Sequence, residues 1–90
     1  MNDRDQIRST SEEDAATESA VLKHLLALHP TVLTLAELIR ELDGEGEGFA
    51  GRDAIERAVH DLIGAGLLHR NEAFVVPSRA ALRLDELFGE

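Results

Sequence analysis

The feature that most constrains the fold of this chain is an apolar stripe at helical spacing that runs directly into a glycine turn. The stripe occupies positions i, i+3, i+4, i+7 and i+8, with the residues Ile55, Ala58, Val59, Leu62 and Ile63. This spacing places all five side chains on one face of an α-helix. Gly64 and Gly66 then stop the helix, and Leu67 and Leu68 begin an extended segment. The sequence therefore predicts a helix that leads directly into a strand.

A capping box predicts another helix upstream. Thr34 and Glu37 are three residues apart, so the Thr34 hydroxyl can accept from the Glu37 amide while the Glu37 carboxylate accepts from the amide of Thr34. Gly44 is expected to end this helix. Residues 43–48 predict a flexible acidic loop, and Phe49 is expected to anchor the far end of that loop in the core.

The first helix and first strand precede the capping box. Residues 17–28 carry a wide apolar face that ends before Pro30, and residues 31–33 predict a short strand. Because each of the three helices has one apolar face, we expect them to share one core. The residues expected in that core are Leu25, Leu38, Ile39, Ile55, Val59, Leu62 and Leu68.

A β-hairpin and a last helix complete the predicted order. Residues 67–70 and 73–76 are expected to form the arms of the hairpin, with Asn71-Glu72 as its two-residue loop. Ser78 is expected to cap a final helix over residues 79–88. The complete order is α-β-α-α-β-β-α.

Residues 1–16 differ in composition from the rest of the chain. This segment carries five acids against two arginines, and Ile7 is its only large aliphatic residue after Met1. Such a segment buries too little apolar surface to offset the entropy of ordering it. We therefore predict a disordered acidic arm over residues 1–16 and one folded domain over residues 17–88.

The composition excludes several classes of function. Ninety residues allow one modest core, and a chain without cysteine has neither disulfides nor thiolate metal sites. The four histidines form no cluster at metal-ligand spacing, so no metal or other cofactor is expected. No phosphate-binding glycine loop or nucleophile motif occurs, which argues against an enzyme. No apolar run has the length of a signal peptide or membrane span, so we expect a cytoplasmic protein without a membrane partner.

From about residue 19 to residue 88 the chain resembles the winged-helix domains of bacterial transcription regulators. The resemblance depends on residues 33–38, LTLAEL, and residues 58–68, AVHDLIGAGLL. In that family the second stretch is the recognition helix running into the wing. The resemblance implies an α+β winged helix with a three-helix core, a small β-hairpin wing and a C-terminal helix. It also implies a small transcriptional regulator that binds double-stranded DNA through the third helix and the wing.

By this resemblance, five residues are candidates for DNA contact. Arg57 and His60 lie on the solvent face of the third helix, and Arg57 has the best position to reach a base. Arg52 at the start of that helix and Arg70 in the wing are best placed to hold phosphates, and Arg79 also flanks the wing.

The charge of the chain argues against this function. The net charge is −9, and residues 49–79 hold four arginines against four acids. On the third helix, Asp53-Arg57, Arg57-Asp61 and Glu56-His60 are spaced i,i+4, as on an ordinary solvated helix. DNA binding needs basic side chains that neutralise phosphates, and here an equal number of acidic side chains offsets them.

The alternative is a protein-protein interaction module that has the winged-helix fold without a DNA surface. Ala20 and Ala27 belong to a small-residue stripe on the back of the first helix, and the last helix carries an apolar face that ends at Phe88. Leu82 projects from the opposite face of the last helix. These four residues are the candidates for contact with a protein partner or with a second copy in a homodimer.

Overall fold

The structure is a computed structural model that describes residues 2–43 and 51–89, with side chains described from residue 12 onward. Within these residues the elements are α1 (Asn2–Leu28), β1 (Leu33–Thr34), α2 (Leu35–Asp43), α3 (Arg52–Gly64), β2 (Leu68–Asn71), β3 (Phe74–Pro77) and α4 (Arg79–Phe88). The architecture is α+β, and the predicted order of elements is confirmed. None of the described helices is long and apolar enough to cross a membrane.

The three strands form one antiparallel sheet in the order β1-β3-β2. Leu68 pairs with Pro77 and Asn71 with Phe74, so the two-residue loop consists of Glu72 and Ala73. The predicted loop, Asn71-Glu72, is therefore wrong by one residue. The predicted register would pair Leu68 with Val75, two residues from its observed partner Pro77, so both registers place the same side chains on each face of the sheet. The prediction followed the preference of asparagine for turns, whereas Asn71 pairs with Phe74 in the ladder and Glu72 adopts the left-handed conformation at φ 59°.

One core lies between α1, α2, α3 and the sheet. Its buried members are Val21, Leu25, Leu33, Leu38, Ile55, Ala58, Val59, Leu62, Leu68 and Val75. Ile39 is half-buried against this cluster, and the other six residues predicted for the core are buried, so the prediction of a single shared core is confirmed. Each helix contributes one apolar face, as the sequence periodicity requires.

The end of α3 is a Schellman motif. The amide of Leu67 donates to the Leu62 carbonyl at 2.9 Å, and the amide of Gly66 donates to the Ile63 carbonyl at 3.0 Å. Gly66 has φ +84°, the left-handed conformation that glycine adopts without steric cost. Gly66 is therefore the residue that turns the chain from α3 toward β2, whereas Gly64 is the last residue of the helix itself.

Side-chain caps begin α2 and α4, as predicted. The Glu37 amide donates to Thr34 Oγ1 at 3.1 Å, and the Thr34 amide donates to Glu37 Oε1 at 2.9 Å. Ser78 Oγ accepts from the Ala81 amide at 3.1 Å and donates to the Gly66 carbonyl at 2.7 Å. The second pair of bonds joins the start of α4 to the end of α3.

The first helix is longer than predicted. α1 begins at Asn2, so residues 2–16 are helical in the structure, where the sequence predicted a disordered arm. This segment contains no glycine or proline to stop a helix that is packed further along. Thr17 is buried and donates to the Glu13 carbonyl at 2.9 Å, and Asp14 contacts α3. The division of the chain at residue 16 into an arm and a domain is otherwise untested.

Two predictions fall on residues 44–50. The flexible acidic loop after Asp43 and the anchoring role of Phe49 lie outside the described residues, as does the expected stop at Gly44.

Candidate functional site

The five residues predicted to contact DNA are all exposed. Arg52, Arg57 and His60 lie on the solvent side of α3, which we call the α3 face. Arg70 lies in β2 and Arg79 is the first residue of α4. The apolar side of α3 fills the core, so the orientation of this helix follows from its stripe.

The two arginines of the α3 face form ion pairs with neighbouring acidic residues. Arg52 Nε donates to Glu56 Oε2 at 3.1 Å within the helix. Arg57 Nη2 lies 3.7 Å from Asp14 Oδ1 of α1. The predicted i,i+4 pairs of Arg57 with Asp53 and Asp61, and of Glu56 with His60, are not among the ion pairs between described residues. Exposed pairs of this kind add little stability, but they reduce the positive potential of the surface.

An acidic cluster surrounds Arg57, formed by Asp14 and Glu18 of α1 and Asp61 of α3. All four side chains line one small cleft between the two helices. Desolvation raises the pKa of Glu18 above its usual value, and the negative charges of Asp61 and Asp14 and a hydrogen bond with Asp61 raise it further. One guanidinium against three carboxyl groups leaves this part of the α3 face negative near neutral pH.

Arg70 and Arg79 lie in a different setting. Both are exposed, and neither belongs to an ion pair among the side chains of residues 12–43 and 51–89. They flank the hairpin rather than the centre of α3. Of the four arginines predicted to contact DNA, the two without an acidic partner among these side chains therefore lie at the hairpin end of the molecule.

His24 forms a close polar contact with a residue of another helix. His24 Nε2 of α1 lies 2.6 Å from Glu41 Oε1 of α2, so this pair links the two helices. Among the described residues, no three histidines or acids are grouped so that they could hold a metal ion.

A second candidate surface lies along the last helix, α4. The apolar stripe of this helix is buried only in its first turn, where Ala81 is 2% exposed. Farther along, the exposed fraction rises to 46% at Leu84, 57% at Leu87 and 81% at Phe88. The stripe thus continues past its contact with the core and ends in solvent.

This stripe forms one wall of an open groove of about 460 Å³, which we call the α1–α4 groove. Its apolar lining residues are Leu22, Leu26, Leu67, Ala81, Leu84 and Phe88. Lys23 and Asp85 are the charged residues that line it. A groove of this size with apolar walls can accept side chains of another polypeptide.

The structure separates the four predicted partner-contact residues. Phe88 lines the α1–α4 groove, whereas Ala20 is half-buried and Ala27 is exposed outside its lining. Leu82 is half-buried on the other side of α4, beside Arg79 and Arg83.

Leu22 and Leu26 line this groove but were not among the predicted contact residues, although they belong to the wide apolar face of residues 17–28. The available signal was the width of that face, since five large apolar residues in residues 21–28 exceed what one core contact needs.

No protein-family model matches the chain, and no curated protein or solved structure is significantly similar to it.

Proposed function

We propose that this protein is a winged-helix protein-interaction module, which binds a polypeptide through the α1–α4 groove and does not bind DNA through α3. The observation that carries the proposal is the exposed apolar stripe of Leu84, Leu87 and Phe88 beside that groove. Isolated apolar residues are common on protein surfaces, but a contiguous apolar patch with a groove is typical of an interaction site.

The order α-β-α-α-β-β-α and the three-stranded antiparallel sheet support a winged helix. In this fold α3 corresponds to the recognition helix and β2-β3 to the wing. Fold alone does not determine function, so the chemistry of each surface decides between DNA and protein.

The charges of the α3 face disfavour DNA. A phosphate approaching Arg57 would have to displace Asp14 and would meet the charges of Glu18 and Asp61. Arg52 is already paired with Glu56. Since non-specific DNA affinity comes mainly from neutralised phosphates, these acids weaken the driving force for DNA binding at α3.

The direct test is an NMR titration of the labelled protein with mixed-sequence duplex DNA at low salt. We expect no concentration-dependent shifts of amide signals in α3 or in the β2-β3 hairpin. Low salt maximises any electrostatic attraction, so a negative result there is decisive. Saturable shifts in α3 would contradict the proposal.

DNA binding is the second candidate function, and the exposed Arg70 and Arg79 favour it. If DNA is bound at the hairpin end, Arg70→Ala should weaken all sequences alike and flatten the salt dependence. If the DNA also reaches α3, Asp14→Asn should strengthen binding, since it would release Arg57. Arg83→Ala, which removes a base paired with Glu86 on α4, is the matched control and should bind as the wild type does.

A further inference from the structure

We propose that α4 is a hinged lid, which tilts about its first turn and closes the α1–α4 groove onto α1 when no polypeptide is bound. In the closed form, Leu84 and Phe88 of α4 contact Leu22 and Leu26 of α1. The structure shows the open form. The inference depends on the proposed function, because it describes how access to the same groove is regulated.

The attachment of α4 to the rest of the domain is concentrated at one end. The Ser78 amide donates to the Leu67 carbonyl at 2.9 Å, and the Ser78 hydroxyl donates to the Gly66 carbonyl at 2.7 Å. Farther along, the polar contacts of α4 with described residues lie within the helix itself. The buried residue of α4 is Ala81. Alanine projects only a methyl group, so it forms little of the ridge that fixes the angle of a packed helix.

A small tilt of α4 produces a large movement of its free end. From Ala81 to Phe88 the helix rises roughly 10 Å, so a tilt of about 25° moves its tip by about 4 Å. The groove is open along this length. Leu84 and Phe88 lie one helical turn apart on its α4 wall, and two leucines of α1 have the same spacing on the opposite wall. A tilt toward α1 therefore brings two apolar rows together.

The exposure of both walls to water favours closure. Leu84 is 46% and Phe88 81% exposed, and Leu22 and Leu26 are half-buried. Contact between these side chains removes apolar surface from water, which is the dominant favourable term in folding and association. Because α4 is tethered beside α1, closure does not cost the translational and rotational freedom that a separate molecule loses on binding.

Charge favours the same movement. Lys23 of α1 and Asp85 of α4 line the two walls of the groove. Neither belongs to an ion pair among the side chains of residues 12–43 and 51–89. Closure brings these opposite charges together, so the two walls are electrostatically complementary within one chain.

Paramagnetic relaxation enhancement tests the lid in the intact protein. The chain has no cysteine, so Glu86→Cys places a single spin label near the free end of α4, on a side chain outside the groove lining. We expect the amide signals of residues 22–26 to broaden several-fold more than the open structure requires, because the enhancement rises steeply as the label approaches. A label at Ala80→Cys, at the anchored end, is the control and should give the broadening of the open structure. Mixing spin-labelled protein with isotope-labelled protein that carries no spin label measures any contribution from contacts between molecules.

Two sets of variants in the spin-labelled protein distinguish closure from general flexibility. Phe88→Ser removes the most exposed apolar side chain of the lid and should return the broadening to the open value, whereas Phe74→Ser, in the hairpin, should leave it unchanged. Lys23→Asp places like charges on the two walls and should reduce the excess broadening. Adding Asp85→Lys restores opposite charges and should recover the excess.

The outcomes separate this inference from the proposed function. Broadening that matches the open structure at both labels, or an excess that Phe88→Ser and Lys23→Asp leave unchanged, overturns the lid. The proposed function then stands, since an open groove remains accessible to a polypeptide. Saturable shifts of α3 signals with duplex DNA overturn the proposed function instead, and the excess broadening of residues 22–26 still reports the lid.

Discussion

Leu62 is one of the four buried residues by which α3 packs into the core. Its side chain is 4% exposed in the shared core, and its carbonyl accepts the Leu67 amide in the turn that follows. We expect Leu62→Ala to lower the free energy of unfolding by about 2–5 kcal/mol, because it removes buried methyl groups and leaves a cavity. Urea unfolding measures the loss. Val32→Ala, at an exposed position, should cost less than about 1 kcal/mol.

Glu18 should make the stability of the fold depend on pH with a sign opposite to that of most acidic residues. Its pKa is raised in the folded state by desolvation and by Asp61 and Asp14, so its charged form destabilises the fold. The folded state then binds the proton more tightly than the unfolded chain, and stability rises as the pH falls through the folded pKa. The gain is complete below the unfolded value, near 4.5.

We therefore expect Glu18→Gln to stabilise the protein at neutral pH by a few tenths of a kcal/mol, a size typical of partly exposed charges. Its advantage over the wild type should disappear below the unfolded pKa. Thermal unfolding at several pH values measures both effects. Glu72→Gln removes the same charge from the hairpin loop and serves as the control, and an equal gain there would show that net charge alone is responsible.

At the scale of elements, Ser78 determines how firmly α4 is attached. Its hydroxyl caps α4 through the Ala81 amide and also binds the Gly66 carbonyl at the end of α3. Ser78→Ala should lower stability by about 1–2 kcal/mol, within the range for the loss of an N-cap. Hydrogen exchange should accelerate first at the Ala81 and Leu82 amides. Ser78→Thr keeps the hydroxyl and should retain most of the stability, whereas equal losses in both variants would contradict the capping role.

The elements were predictable where local chemistry determines them. The Ile55–Ile63 periodicity gave α3, and the capping residues Thr34 and Ser78 gave the starts of α2 and α4. The hairpin loop was misplaced because the prediction followed the turn preference of asparagine, whereas Asn71 pairs with Phe74 in the ladder and Glu72 takes the left-handed conformation. The length of α1 was missed because its first turns are polar, and polar composition alone favours disorder.

The candidate surfaces were only partly predictable, because they depend on contacts between residues that are far apart in the sequence. Exposure of Arg57 follows from helical periodicity, but its contact with Asp14 joins residues 43 positions apart in different helices. Likewise, the apolar face of α4 was visible in the sequence. The groove beside it depends on how α1 and α4 pack, which periodicity does not specify.

At the scale of the whole molecule, net charge should set the response to salt. The chain carries −9, and the acidic cluster concentrates three carboxyl groups around Arg57. The Debye length falls from roughly 30 Å at 0.01 M salt to roughly 8 Å at 0.15 M, so repulsion among these acids is screened over that range. Exposed ion pairs such as Arg83-Glu86 lose attraction as well, but each contributes little.

We therefore expect the free energy of unfolding to increase with sodium chloride between these two concentrations. Urea unfolding at a fixed, low protein concentration measures the effect. Glu18→Gln should reduce the increase, because it removes one acid from the cluster, whereas Glu72→Gln should reduce it less. A stability that falls with added salt would mean that ion-pair attraction outweighs the net repulsion, and the acidic cluster would then not be a source of strain in the folded protein.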